Sequence, residues 1–449
     1  MRKDTVQFYK KVLKLSIPVM LQQLLNNVVN MTDTLMIGKV GELCISGVAV
    51  ANKVFFIYQL ILFGYSNGVG IFLSQYNGAN RKDVLADIFN EGIRKCILIA
   101  LLAIVICIFL QSPILSLYLA DHTTLGYAST YLSILVISFI PFSLTQMYSV
   151  AFRVLGVPKM PMIAGFCAFI TNVILNAILI FGLFGFPRLE VAGAAIATVI
   201  ARFVEVAILM ITCHKYLDGI YLKMKVDLSS KMKMTIFSKA IPLMCNELIW
   251  SIGLNIIFIN YSYIDELYIP AITIVDTISN FVYVMFSGVS VAVSFIVGNG
   301  LGKGEIEKAK YDVKRLLILA LAIYFIGGVI LVATSGFTPF LFSLTDTNAL
   351  MATILLIIKA LTAWTQGYSN TVYYVLRAGG DTKSVLLIDG VFTWAGPVLL
   401  SVIASRFLSL DLVFTYILVE GVGIIKVLVA TYFLKKGKWI RNLTNTAEV

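Results

Sequence analysis

Ser16–Leu24 reads SIPVMLQQL, and Ala240–Leu248 reads AIPLMCNEL, which sets Pro18 and Pro242 224 residues apart. The same offset carries Phe152–Lys159 (FRVLGVPK) onto Leu376–Lys383 (LRAGGDTK), pairing Arg153 with Arg377, Gly156 with Gly380 and Lys159 with Lys383. It also pairs Arg202 with Lys426. Asn77-Gly78 and Asn299-Gly300 correspond at a spacing of 222, so a small length change lies inside the repeat. Self-similarity at a fixed period marks a duplicated structural unit.

The unit is built for a membrane. The chain has 449 residues, of which 59% are hydrophobic and only 13% charged. A soluble protein carries roughly a quarter charged residues, and a spanning helix needs about 20 mostly apolar ones. Twelve spans meet that test, near 12–37, 47–74, 94–118, 126–151, 161–184, 190–213, 236–262, 268–296, 313–336, 347–376, 384–405 and 410–434. The first six match the last six pairwise. The expected fold is an all-α membrane protein of twelve transmembrane helices in two six-helix lobes related by the repeat. Residues 1–213 form the N-terminal lobe, 214–235 a cytoplasmic linker and 236–449 the C-terminal lobe. A surface-lying helix is expected over 228–236. Two similar membrane halves suggest a transporter with a central cavity between them. The loops are too short to house a soluble catalytic domain.

The net charge of +11 reports topology. With the N-terminus in the cytoplasm, 28 of the 35 Lys and Arg residues fall on the cytoplasmic side, and the opposite loops hold only Lys39, Arg188 and Arg406. This bias places both termini inside and makes the chain a multi-pass protein of the plasma membrane. A nucleic-acid partner is not expected. The N-terminus is basic and leads into a full span rather than a short signal-peptide core. The six cysteines lack metal-like spacing, so neither zinc nor disulfides nor a cofactor is expected.

Polar groups inside a span are costly and call for a reason. On the first span Gln23, Asn26, Asn27, Asn30, Asp33 and Thr34 fall within an arc of roughly 120°. Hydrogen bonding between helices explains most intramembrane amides, but this stripe contains a carboxylate. A buried Asp must be protonated, paired with a base or bound to a cation. Asn172 and Asn176 share a face at i, i+4 on the fifth span, and Thr198 lies on the sixth. With Asp33 they offer the oxygens of a hard-cation site, Na⁺ included, or equally a proton site. The repeat does not copy this set: Asp33 maps to Ile257, Asn172 to Gly396 and Asn176 to Leu400, while Gln23 maps to Glu247.

Other positions are read more plainly. Arg202 and Glu205 are spaced to pair with each other. Lys426 and Glu420 lie six residues apart on one helix, a spacing that does not bring them face to face. Lys53 and Lys359 are long enough to snorkel. Asp276 lines a cavity or caps a helix end near the outer face. Gln366, Asn370 and Tyr373 fall along one face of the tenth span. The Met and aromatic content suits promiscuous binding of flat apolar molecules, although any membrane protein is rich in both. Pro18, fifteen residues before Asp33, removes a backbone hydrogen bond and allows a bend.

The run NMTDTLMIGKVG after a proline-bearing first helix resembles the multidrug and toxic compound extrusion (MATE) transporters. So do QYNGANRKD, FRVLGVPKMP, NVILNAILIFG, GAAIATVIAR, GNGLGKGE and VLRAGGDTK. The resemblance covers nearly the whole chain. It implies twelve helices in two lobes opening as a V, and export of cationic and amphipathic compounds in exchange for inward Na⁺ or H⁺. It implies that Asp33 is the coupling carboxylate of the N-terminal lobe, with Asn172, Asn176 and Thr198 as partners. Some members carry an Asp at the position of Asn176. Glu247 resembles a carboxylate of the C-terminal lobe, and a second such carboxylate of the family is Gln366 here. Gln23, Asn26, Asn30, Gln366, Asn370, Tyr373 and Asp276 are expected to face substrate, and Pro18 to act as a hinge. A monomer is the default state. The alternative is a lipid-linked oligosaccharide flippase of similar fold, which calls for a strongly basic cavity. The intramembrane bases here are few: Lys53, Arg202, Lys359 and Lys426. A membrane-embedded enzyme fits less well, with two histidines and no metal-like cluster.

Overall fold

The computed structural model describes residues 2–119, 121–223, 225–337 and 344–444. Among them no β-strand occurs, and twelve helices are long and apolar enough to cross a membrane. They are α1 (Asp4–Gly38), α2 (Glu42–Gly78), α3 (Lys82–Ser116), α4 (His122–Val154), α5 (Lys159–Phe181) and α6 (Glu190–Tyr216) in the first half. The second half holds α7 (Ser230–Ile264), α8 (Glu266–Gly302), α9 (Ile306–Ser335), α10 (Asp346–Ala378), α11 (Thr382–Phe407) and α12 (Leu412–Lys436). Backbone groups in hydrocarbon must be satisfied within their own segment, and helices of this length do that.

Helix ends follow local chemistry. Asp121 accepts from Thr124 N at 2.7 Å to start α4, and Asp411 accepts from Phe414 N at 2.8 Å to start α12. The surface helix expected over 228–236 does not exist separately. Ser229 Oγ accepts from Met232 N at 3.1 Å, and α7 runs unbroken from Ser230 through Pro242 to Ile264. Pro141 stands just beyond a tighter turn at Val136–Ser138 within α4. Pro397 lies in α11, which carries three wide, π-type turns at Leu387–Val391, Trp394–Val398 and Ile403–Phe407.

The repeat is visible atom by atom in two turns. Gly156 (φ +89°) and Gly380 (φ +74°) both take the left-handed conformation. Val157 N donates to Phe152 O at 2.7 Å after α4, and Asp381 N donates to Leu376 O at 2.9 Å after α10. This is the same C-terminal cap twice, and glycine is needed at its turning point.

The helices form two compact units. One contains residues 2–20, 74–80 and 238–444, and the other 21–73 and 81–237. Thus α1 passes between units just after Met20, and α2 passes just after Leu73. In the first unit the two Asn-Gly repeats touch: Asn77 Nδ2 donates to Asn299 Oδ1 at 2.8 Å. Buried Gln75 donates to Ala378 O at 2.9 Å and accepts from Leu443 N at 2.7 Å, which fastens the C-terminal segment to α2 and α10. The core of this unit gathers Ile257, Tyr261, Val275, Tyr324, Leu355 and Val419 from α7, α8, α9, α10 and α12. In the second unit the linker is strapped to α3. Asp87 accepts from Lys223 Nζ at 2.8 Å and from Asp227 N at 3.1 Å, and the Asp87 hydrogen bond pushes the Lys223 pKa up.

Candidate functional site

The polar stripe of α1 sits in the second unit. Gln23, Asn26 and Asn30 are exposed there, and Asp33 is half-buried. Asn176 on α5 is wholly buried, and its Nδ2 donates to Asp33 Oδ1 at 2.6 Å and to Asn172 Oδ1 at 3.1 Å. Asn172 Nδ2 lies 3.4 Å from Thr198 Oγ1 on α6. Three helices therefore bring together the four residues that sequence grouped. The i, i+4 spacing puts the two asparagines on one face of α5, where Asn176 reaches α1 and Asn172 reaches α6.

No base is ion-paired to Asp33 among the described residues. Arg202, the basic residue within electrostatic reach, donates from Nη1 to Glu205 Oε2 at 2.8 Å, as the spacing predicts, and stacks 5.1 Å over Phe142. The buried carbonyl oxygen of Asn176 has no hydrogen-bond partner. A carboxylate without a base, beside an unused amide oxygen, leaves room for one positive charge. Sequence reasoning missed Tyr131 on α4. It is buried, within hydrogen-bonding reach of Thr198 and Asn52 and within the field of Asp33. One tyrosine among 21 carries no signal of its own.

The remaining expected site residues lie in the first unit. Glu247 on α7 accepts from Tyr373 Oη on α10 at 3.3 Å, with Arg377 within electrostatic reach. Asn370 Nδ2 donates to Tyr324 Oη at 3.2 Å, and Gln366 is half-buried on the same helix. Asp276 is exposed, eighth in a helical run that starts at Ile269, so it does not cap a helix end.

The intramembrane bases are engaged. Lys426 Nζ donates to Asp389 Oδ1 at 2.7 Å, and Asn246 Nδ2 donates to Asp389 Oδ2 at 3.0 Å. Lys359 does not snorkel: it forms an ion pair with Glu420, the partner that sequence left open. A matched carboxylate inside the bundle holds it more firmly than a distant aqueous phase. Lys53 lies 5.5 Å over the Tyr118 ring. Arg202 and Lys426 are repeat equivalents, yet their carboxylates come from different places. Glu205 is on the same helix as Arg202, whereas Asp389 occupies the position that answers to Gly165. A Cβ at Gly165 would lie 3.9 Å from Glu205 Oε1. The ion pair is thus kept in space while its acidic residue moves in sequence.

Comparison with known proteins gives a consistent result. The MatE family model matches residues 18–178 and again 242–400, one match in each half of the repeat. The probable multidrug resistance protein NorM of Thermotoga maritima is 25% identical over 461 aligned residues, covering 100% of this chain and 96% of that protein. A protein of the same name from Pasteurella multocida is 26% identical, covering 86% of this chain and 84% of its own. Among solved structures, an outward-facing multidrug resistance MATE family transporter of the MOP superfamily superposes with a TM-score of 0.87. The identity is 16%, over 96% of this chain and 95% of that one. The Vibrio cholerae MATE transporter VcmN in its bent form gives a TM-score of 0.86 at 19% identity, over 98% of this chain and 100% of that one. At these identities the structures establish a shared fold.

Proposed function

The chain belongs to the MatE family, and on that premise we propose that it exports multiple organic compounds, many of them cationic, by antiport against Na⁺ or H⁺. The relatives' names supply the multidrug part of this reading. The observation that carries the coupling is the Asp33 site: a carboxylate held by Asn176 at 2.6 Å, with no base paired to it. A proton or a Na⁺ ion supplies the missing positive charge, with Asp33, Asn172, Asn176 and Thr198 providing the oxygens. Glu247 is placed differently. Tyr373 donates to it at 3.3 Å and Arg377 stands in its field, as Arg202 stands in the field of Asp33. Asp33, with Asn176, Asn172 and Thr198 gathered beside it, carries the coupling ion, and Glu247 contributes more weakly.

Pro18 serves as the hinge. It leaves one carbonyl of α1 without its helical donor, and α1 changes units within two residues of it. The residues 1–213 and 236–449 act as the two lobes, with both termini cytoplasmic and the chain acting as a monomer. Cation binding at Asp33 and substrate binding favour different states of access, which is all that coupling requires. Gln23, Asn26, Asn30, Gln366, Asn370, Tyr373 and Asp276 meet substrate. The function is transport rather than enzymatic turnover. The flippase alternative loses ground, because Arg202, Lys359 and Lys426 are tied to carboxylates and offer little free positive charge to a pyrophosphate. The test is dye efflux from proteoliposomes under a Na⁺ gradient and a pH gradient imposed separately. Efflux under one gradient names the ion, and none under either overturns the reading.

A further inference from the structure

The first unit holds a second charged cluster, built on the Lys359–Glu420 ion pair and on Asp276. Lys359 on α10 is ion-paired with Glu420 on α12, and their side chains are only 13% and 10% exposed. Thr362 Oγ1 lies 3.3 Å from Glu420 Oε2. Asp276 on α8 shares the electrostatic field of this pair but is not ion-paired itself among the described residues, and it is exposed. Aromatic rings pack at the ion pair. Lys359 Nζ stands 6.0 Å over Tyr283 and 5.9 Å over Tyr416, and Tyr261 packs 5.5 Å from Tyr416.

Two observations point to a ligand. Tyr261 and Tyr416 are buried, at 4% and 2% exposure, and their hydroxyls have no hydrogen-bond partner among the described residues. Both lie in the field of Lys359, Glu420 and Asp276. The cluster also fails to balance. Glu420 is ion-paired with Lys359 and Asp276 lies in the field of the pair, which leaves one negative charge, at the exposed member, Asp276. Aromatic rings packed at the ion pair, in the field of an unmatched carboxylate, suit a flat organic cation.

We propose that Lys359 is a specificity-determining residue that makes this site select singly charged over doubly charged organic cations. It acts through charge rather than by touching substrate. With Lys359 present, one positive charge on the ligand brings the cluster to neutrality. A dication leaves one uncompensated positive charge among apolar helices, which is strongly disfavoured. Without Lys359 the cluster carries two negative charges, and the preference reverses. The inference rests on the efflux reading above and deepens it.

Ethidium and propidium share a phenanthridinium ring and carry one and two positive charges, so their relative efflux reads the charge rule directly. In proteoliposomes the wild-type chain should favour ethidium. Lys359→Gln should shift the ethidium-to-propidium ratio toward propidium by about tenfold or more. The double variant Lys359→Gln with Glu420→Gln restores the single negative charge and should return the wild-type ratio. Asp276→Asn brings the cluster to neutrality and should lower ethidium efflux. Because the double variant contains no buried ion pair, it also separates charge selection from damage to the fold. An unchanged ratio in Lys359→Gln, or a double variant that keeps the altered ratio, would overturn the proposal while leaving the efflux reading intact. A wild-type chain that moves neither dye would overturn both.

Discussion

Asp33 and Asn176 lie 143 residues apart and meet at 2.6 Å, and the amide does two jobs there. Its Nδ2 orients the carboxylate, and its free Oδ1 is a ready ligand for a cation. Asn176→Ala removes both. Losing the Oδ1 ligand weakens Na⁺ binding, whereas losing the Nδ2 donor leaves the ion-free carboxylate less stabilised and strengthens proton binding, so half-saturation should shift by roughly tenfold, upward if Na⁺ drives transport and downward if H⁺ does. Titrating the driving ion at fixed dye concentration checks this, and unchanged half-saturation would show that Asn176 is only structural glue. The Asp33 group was legible in sequence, because a carboxylate and two amides in apolar spans are expensive enough to stand out. Tyr131 was not, since nothing in its type or spacing separates it from a packing tyrosine. The Lys359–Glu420 pair was hidden for another reason: its partners lie 61 residues apart on helices whose neighbourhood only the fold reveals.

At the scale of the element, the duplicated turns were readable because they need glycine. Gly380 sits at φ +74°, and a Cβ there would also come 3.0 Å from Leu443 Cδ1. Gly380→Ala should destabilise by about 1–2 kcal/mol, the cost of a left-handed residue with a side chain. Gly126 on α4 has open space around it and an ordinary φ, so Gly126→Ala should be neutral or slightly stabilising. Thermal unfolding of the two purified variants in one detergent compares them, and equal midpoints would contradict this account of the turn. Pro18 makes a different prediction. Pro18→Ala restores the missing hydrogen bond of α1, so the folded protein should be at least as stable while gradient-driven efflux slows several-fold. Unchanged turnover would remove the hinge. Helix existence followed from apolar length, but helix starts did not. The first turn of α7 depends on Ser229, whose cap overrides the polar composition that had suggested a separate surface helix.

Across the whole molecule, duplication accounts for the architecture and departure from it accounts for the chemistry. The cap at Gly156 recurs at Gly380, and the base Arg202 recurs as Lys426, each again with a carboxylate partner. The Asp33 group recurs nowhere, since Ile257, Gly396 and Leu400 stand at the equivalent positions. In the second half Asp389 has Lys426, Glu420 has Lys359, and Glu247 has Arg377 in its field. The first half keeps Asp33 as the intramembrane carboxylate of its site without an ion pair. The central claim is that the Asp33 charge couples ion entry to export. The most direct measurement is uphill ethidium efflux in proteoliposomes carrying either the wild-type chain or Asp33→Asn, under whichever ion gradient drives the wild type. The account predicts that the variant inserts and folds normally yet loses gradient-driven efflux. Full efflux by Asp33→Asn under the same gradient would contradict it.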